Sequence, residues 1–170
     1  MTTPSAREQD WLLDSGSLTA RLKHHCNQLT VQVLRQYSRR LSAQEYRSLG
    51  FLSCRYALIR EVILWTDQEP AIIASTVIPF STLTRKELRL RYLKENPLGE
   101  FLKKYSSWSR TLLGLKHMPL QQLIAPEDLP IPLLHQAISS HYWTRESIFL
   151  SSNKPLLLTE LFLPKVFAIA

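Results

Sequence analysis

The chain has 170 residues, of which 45% are hydrophobic and 21% charged, and carries a formal charge of +7. That composition sits close to the globular norm of about 25% charged residues and supplies one core of domain size, which excludes a chain disordered throughout. Two cysteines and four glycines are too few for a disulfide framework or a phosphate-cradling glycine loop.

The amino-terminal segment MTTPSAREQDWLL places Arg7, Glu8 and Asp10 where a signal peptide needs its apolar stretch. No run of about 18–20 apolar residues follows, so no membrane span is expected. Unpaired Cys26 and Cys54 then point to the cytoplasm. Ala6 to Asp14 is predicted as a short helix, broken by Ser15-Gly16. Ser17 caps a second helix with Leu18 and Leu22 at i and i+4. His24, His25 and Cys26 are adjacent, and helical neighbours point apart, so they read as solvated polar residues rather than a metal site. No metal is expected. Leu29 to Tyr37 alternates around Val31 and Val33 and reads as a strand.

Tyr56 to Pro79 is the clearest hairpin: YALIREVILW, a polar turn near Thr66-Asp67-Gln68-Glu69, then PAIIASTVIP. Such continuously apolar arms predict strands covered on both faces. A helix is predicted from Ser81 to about Lys94, ended by Asn96-Pro97, with a further short helix from Leu98. Arg85, Lys86, Arg89, Arg91 and Lys94 form the densest basic patch. Its plain reading is a solvated face; a surface for nucleic acid or anionic lipid is the other, and the aromatic interleaving of a single-strand binder is missing. Trp108 to Leu115 is assigned to a strand. From His117 to His141, four prolines predict an irregular surface excursion with one short helix near Leu133 to Ile138. Trp143 to Leu150 and Pro155 to Leu163 form a second hairpin about Ser151-Ser152-Asn153-Lys154. Together these elements predict a single α+β domain over residues 1–170 with an antiparallel sheet.

Two charges stand inside apolar strands: Arg60 in YALIREVILW and Glu160 in PLLLTELFLP. Burying either is costly unless it is paired and hydrogen-bonded. Arg60 at a sheet edge or snorkelling along its stem, and Glu160 as the ladder partner of a surface lysine, are the plain readings. The alternative is a site for an anionic aromatic ligand, in which arginine grips a carboxylate and glutamate meets a hydroxyl. Glu61 must point to the opposite sheet face and is expected in solvent or beside a surface base.

The tail KPLLLTELFLP, Lys154 to Pro164, resembles the close of the chorismate pyruvate-lyase (chorismate lyase) family. So does YALIREVILW followed by STVIPFSTL, and DWLLDSGSLTARLK and NPLGEFL fit in the same order. The resemblance spans most of the chain; about His117 to His141 it looks like an insertion. It implies a curled antiparallel sheet with helical flaps over an internal cavity, similar to the effector-binding domains of certain transcription regulators. By the same resemblance Arg60 matches the arginine that binds the ring carboxylate, and Glu160 the glutamate that meets the hydroxyl of 4-hydroxybenzoate. Leu18 falls where the family has a methionine whose backbone N–H helps hold the carboxylate, and Leu98 matches a second backbone donor.

The implied reaction eliminates pyruvate from chorismate to give 4-hydroxybenzoate for a quinone such as ubiquinone. Aromatisation drives it, so no cofactor is expected. Chorismate carries a second carboxylate, for which Lys94, Lys103 and Arg145 are the candidate cations. A non-catalytic binding module for small aromatic acids on the same fold is the alternative. The chain is expected to be a monomer with a small-molecule substrate, no nucleic-acid partner and no membrane insertion. Flaps near Leu18 and Leu98 predict slow product release.

Overall fold

The computed structural model describes residues 3–50, 52–105, 107–137 and 140–169, with side chains throughout these except at 135–137. Six strands form one antiparallel sheet: β1 (Leu29–Arg40), β2 (Tyr56–Thr66), β3 (Glu69–Pro79), β4 (Ser109–Pro119), β5 (His141–Ser151) and β6 (Lys154–Phe162). Their order is β1-β2-β3-β6-β5-β4. The two expected hairpins are present. Asp67 and Gln68 (φ 48° and 68°) and Ser152 and Asn153 (φ 48° and 63°) occupy the two central turn positions in left-handed conformation. This is the turn whose twist matches that of the strands it joins. Pairing of β3 with β6 then sets Ala74 beside Glu160 and Thr76 beside Leu158, which brings both hairpins into one sheet.

Both faces of the central strands are covered. Alternate residues Val62, Leu64, Ile72, Ala74 and Leu158 belong to one apolar cluster with Trp11, Leu22, Leu98 and Val166. These come from helices α1 (Ala6–Leu12), α2 (Leu18–His25), α4 (Leu98–Lys104) and α6 (Pro164–Ala168). Ile63, Ile73 and Leu161 face the other way. Ser5 and Glu8 cap α1 reciprocally, and Ser17 caps α2 through the Ala20 N–H. No helix among the described residues is long and apolar enough to cross a membrane.

Three expectations change. Ser81 to Lys94 is not an α-helix; its ordered part, Arg85–Tyr92, is a 3-10 helix. With three residues per turn, Glu87, Leu90 and Leu93 fall in line, and these three are buried. An α-helix would have fanned them over an arc of about 120° instead of one line. The region from His117 to His141 is not a surface excursion. Strand β4 runs on to Pro119, opposite His141. Leu120, Ile124, Leu129 and Leu133 then pack on Ile63, Ile73 and Leu161, covering the second sheet face. Helix α5 spans Ile131–Ala137; the expected end at Ile138 lies outside the described residues. Finally, helix α3 (Ala43–Ser48), with a Ser42–Glu45 capping box, was not anticipated.

Candidate active site

A cavity of about 400 Å³ lies between the first sheet face and the starts of α2 and α4. Its floor is apolar, with Val62, Ala74 and Leu158 at the centre. Its roof is two flaps, Ser15 to Thr19 and Pro97 to Gly99. The flaps meet closely. A Cβ on Gly99 would stand 3.0 Å from Thr19 Oγ1 and 3.3 Å from Ser17 Oγ, so glycine permits the approach. Lys23 on α2 and Glu100 on α4 form an ion pair across the same seam.

Arg60 lies at one end and is only 2% exposed. Its Nη2 donates to the carbonyls of Lys94 at 2.8 Å and Asn96 at 3.0 Å. Lys94 adopts a left-handed backbone (φ 51°) in the turn that presents these carbonyls. Among the described residues no carboxylate forms an ion pair with Arg60, and its Nε has no acceptor. Burial without a counter-charge lowers the guanidinium to about 10, so it still carries its charge at neutral pH. A buried, hydrogen-bonded cation with no anion beside it is a receptor for one.

Glu160 lies toward the other end, on β6. The strand order places it two strands and two residues away from Arg60, with Cα atoms about 12 Å apart by ordinary sheet spacing. Its Oε2 accepts from Arg145 Nε at 2.5 Å. Arg145, directly across the β5–β6 ladder, also donates Nη1 to the carbonyls of Trp11 and Asp14. Nothing described donates to Glu160 Oε1, which leaves that oxygen able to accept a hydrogen bond. Leu18 and Leu98 line the cavity as the first residues of α2 and α4. A backbone N–H at that position has no acceptor inside its own helix, so each is available to a ligand.

Several expectations about charge are corrected. Arg145 is not a free cation for a second carboxylate, because Glu160 already engages it. The Lys94 side chain is exposed and outside the cavity wall; its carbonyl, not its ammonium, serves the site. Lys103 does line the cavity, from the solvent side of α4. Glu61 is not in solvent but 5% exposed on the opposite sheet face, where it accepts from Tyr37 Oη at 2.9 Å. Burial raises its carboxyl, while the Tyr37 hydrogen bond and Arg35 pull the other way.

Arg110 was missed. It stands on β4 and lines the cavity, with Nε donating to Ser147 Oγ at 3.1 Å and Nη1 to the carbonyl of Asp14 at 3.0 Å. Burial lowers its pKa, and the charge of Arg145 acts in the same direction. The segment SRTLLGL does show a charge heading an apolar run. A register shift between Leu112 and Gly114 hides which face that charge takes. Trp108, also in the wall, has an Nε1 with no acceptor.

An antiparallel sheet with helical flaps over a cavity, with a buried arginine that lacks an ion-pair partner at one end and a carboxylate toward the other, defines an α+β domain built around a small-ligand cavity. Comparison with known proteins narrows the class. The chorismate lyase family model matches residues 1–170. A probable chorismate pyruvate-lyase from Psychromonas ingrahamii is 36% identical over 163 residues, covering 96% of this chain and 86% of the relative. The chorismate pyruvate-lyase of Proteus mirabilis is 34% identical over 156 residues, covering 91% and 79%. The effector domain of PhnF from Mycobacterium smegmatis superposes with TM-score 0.63 at 14% identity, covering 89% of this chain and 91% of that one, a likeness of fold alone. The chain belongs to the chorismate lyase family.

Proposed function

We propose that this cavity converts chorismate to 4-hydroxybenzoate and pyruvate, with Arg60 holding the ring carboxylate and Glu160 meeting the hydroxyl across the ring. The observation that carries the reading is the buried charge of Arg60, which lacks an ion-pair partner among the described residues, at one end of a flap-covered cavity whose other end offers a carboxylate oxygen. The backbone N–H groups of Leu18 and Leu98 supplement the anion grip from the flaps. Ring orientation is then set at both ends, beneath the two flaps.

The elimination breaks the C3–O bond of chorismate and the C4–H bond, and the ring closes its third double bond. Apart from Glu160, no carboxylate, imidazole or thiol lines the cavity among the described residues. With Glu160 engaged by the hydroxyl, the C4 hydrogen passes to the methylene carbon of the departing enolpyruvyl group. That carbon becomes the methyl of pyruvate while the ether oxygen becomes its ketone. Atoms and electrons balance within the substrate, and aromatisation supplies the driving force.

The same reading takes the protein as a cytoplasmic monomer, one domain carrying the whole site. Free Cys26 and Cys54 support the compartment. The test is incubation with chorismate, following 4-hydroxybenzoate by absorbance and pyruvate by a coupled assay. Equimolar release supports the reading. Binding of 4-hydroxybenzoate without turnover favours a non-catalytic module.

A further inference from the structure

We infer that Arg110 binds the second carboxylate of the substrate, the one on the enolpyruvyl group; this rests on the reading of the cavity as a chorismate site. In chorismate the ring carboxylate and the hydroxyl lie para to each other, and the enolpyruvyl ether sits next to the hydroxyl. With the ring carboxylate on Arg60 and the hydroxyl on Glu160, the side-chain carboxylate must fall at the Glu160 end. Two guanidinium groups line that end, Arg145 and Arg110.

Their engagements differ. Arg145 has its Nε on the Glu160 carboxylate and its Nη1 on two carbonyls. Arg110 has only neutral acceptors: the Ser147 hydroxyl and the carbonyls of Asp14 and Gly16. Among the described residues no carboxylate forms an ion pair with it, and its Nη2 has no acceptor. Burial and the neighbouring Arg145 charge disfavour this cation; the carboxylates of Glu160 and Asp14 offset them only in part and without an ion pair, so an anion at the free Nη2 edge completes the compensation. Lys103, the other cation in the wall, stands exposed on a flap, where water already solvates its ammonium. A planar guanidinium with a free edge is also the better match for a carboxylate.

The assignment separates substrate from product. Chorismate has two carboxylates and 4-hydroxybenzoate has one, so Arg110 recognises the group that leaves. In Arg110→Gln, KM for chorismate should rise about tenfold to a hundredfold, the loss of one charged hydrogen-bonded contact. The dissociation constant of 4-hydroxybenzoate, measured by titration calorimetry, should not move. Arg110→Lys keeps the charge without the fork and should recover part of the loss. If the glutamine variant does not fold, the lysine variant gives the same comparison: chorismate weakened, 4-hydroxybenzoate unaltered. Equal weakening of both ligands would mean that Arg110 only anchors the Asp14 to Gly16 flap, and would overturn the assignment. So would a selective loss in Lys103→Gln instead. A wild-type protein that does not turn over chorismate removes the reading of the cavity and this inference with it. A wild-type protein that does, with no selective effect at Arg110, removes this inference alone.

Discussion

Arg145 Nε and Glu160 Oε2 lie 2.5 Å apart, across the ladder from each other and both nearly sealed from solvent. The pair fixes the glutamate with one oxygen engaged and one free, which is the geometry needed to receive a hydroxyl.

Removing one partner of this pair leaves a buried charge unpaired. Arg145→Met should destabilise the fold by about 3–5 kcal/mol, whereas Arg145→Met with Glu160→Gln should recover much of that loss. Urea denaturation of the two single variants and the double variant measures the coupling. Additive losses would show that the pair contributes no more than its separate packing.

Glu61, on the far sheet face, gives a pH signature of its own. Its Oε2 is buried without a hydrogen-bond partner, and burial raises its carboxyl above the ordinary 4.5. Below that value Glu61 is protonated folded or unfolded, and it costs nothing. As pH rises past it the unfolded chain loses the proton first, so stability falls until the folded carboxyl has ionised as well. Glu61→Gln should therefore be more stable than the wild type at pH 7, with the gap closing below pH 4.5. Equal stability of the two proteins at both pH values would show that the Glu61 carboxyl is solvated.

The flaps predict slow product release. A Cβ on Gly99 would press on the Thr19 and Ser17 hydroxyls at 3.0 and 3.3 Å, and the two further methyls of Gly99→Val should loosen the packing of α4 on α2. In stopped-flow experiments 4-hydroxybenzoate should leave this variant faster than the wild type, with weaker product inhibition. In the wild type a burst of product should precede a slower steady state. A wild type without a burst would mean that chemistry, not opening, limits turnover.

Hydrogen transfer within the substrate is open to isotopic test. Chorismate deuterated at C4 should give pyruvate with one deuterium in its methyl group in ordinary water. Solvent hydrogen at that position would mean that a protein base had taken the C4 hydrogen.

Much of this architecture is legible in the chain. Apolar arms around polar turns at Asp67 and Asn153 identify both hairpins, and the charges inside those arms single out Arg60 and Glu160 as candidates, because burying a charge is costly unless it is paired; Glu61 in the same arm is buried too, so the charge pattern alone does not separate a site residue from its neighbour. What stayed hidden depends on register and period. Arg110 is indistinguishable from a surface residue until the irregularity in β4 is known. Glu87, Leu90 and Leu93 share a face at 3.6 residues per turn as well as at three, so their spacing does not tell the 3-10 helix from the α-helix expected there. The prolines between His117 and His141 signal broken helix correctly. They carry no sign that Leu120, Ile124, Leu129 and Leu133 cover a sheet face, because burial there is decided by residues remote in sequence. Arg145 is visible as a charge in a strand, but its commitment to Glu160 follows from the β5–β6 pairing alone.

The central claim is that Arg60 and Glu160 act on one ligand from opposite ends of one cavity. The most direct measurement is chorismate turnover by the wild type, Arg60→Ala and Glu160→Ala, with circular dichroism checking that each variant is folded. The account requires equimolar 4-hydroxybenzoate and pyruvate from the wild type, and a loss of at least about a hundredfold in kcat/KM in each folded variant. A folded Arg60→Ala protein that turns over chorismate at the wild-type rate would contradict it.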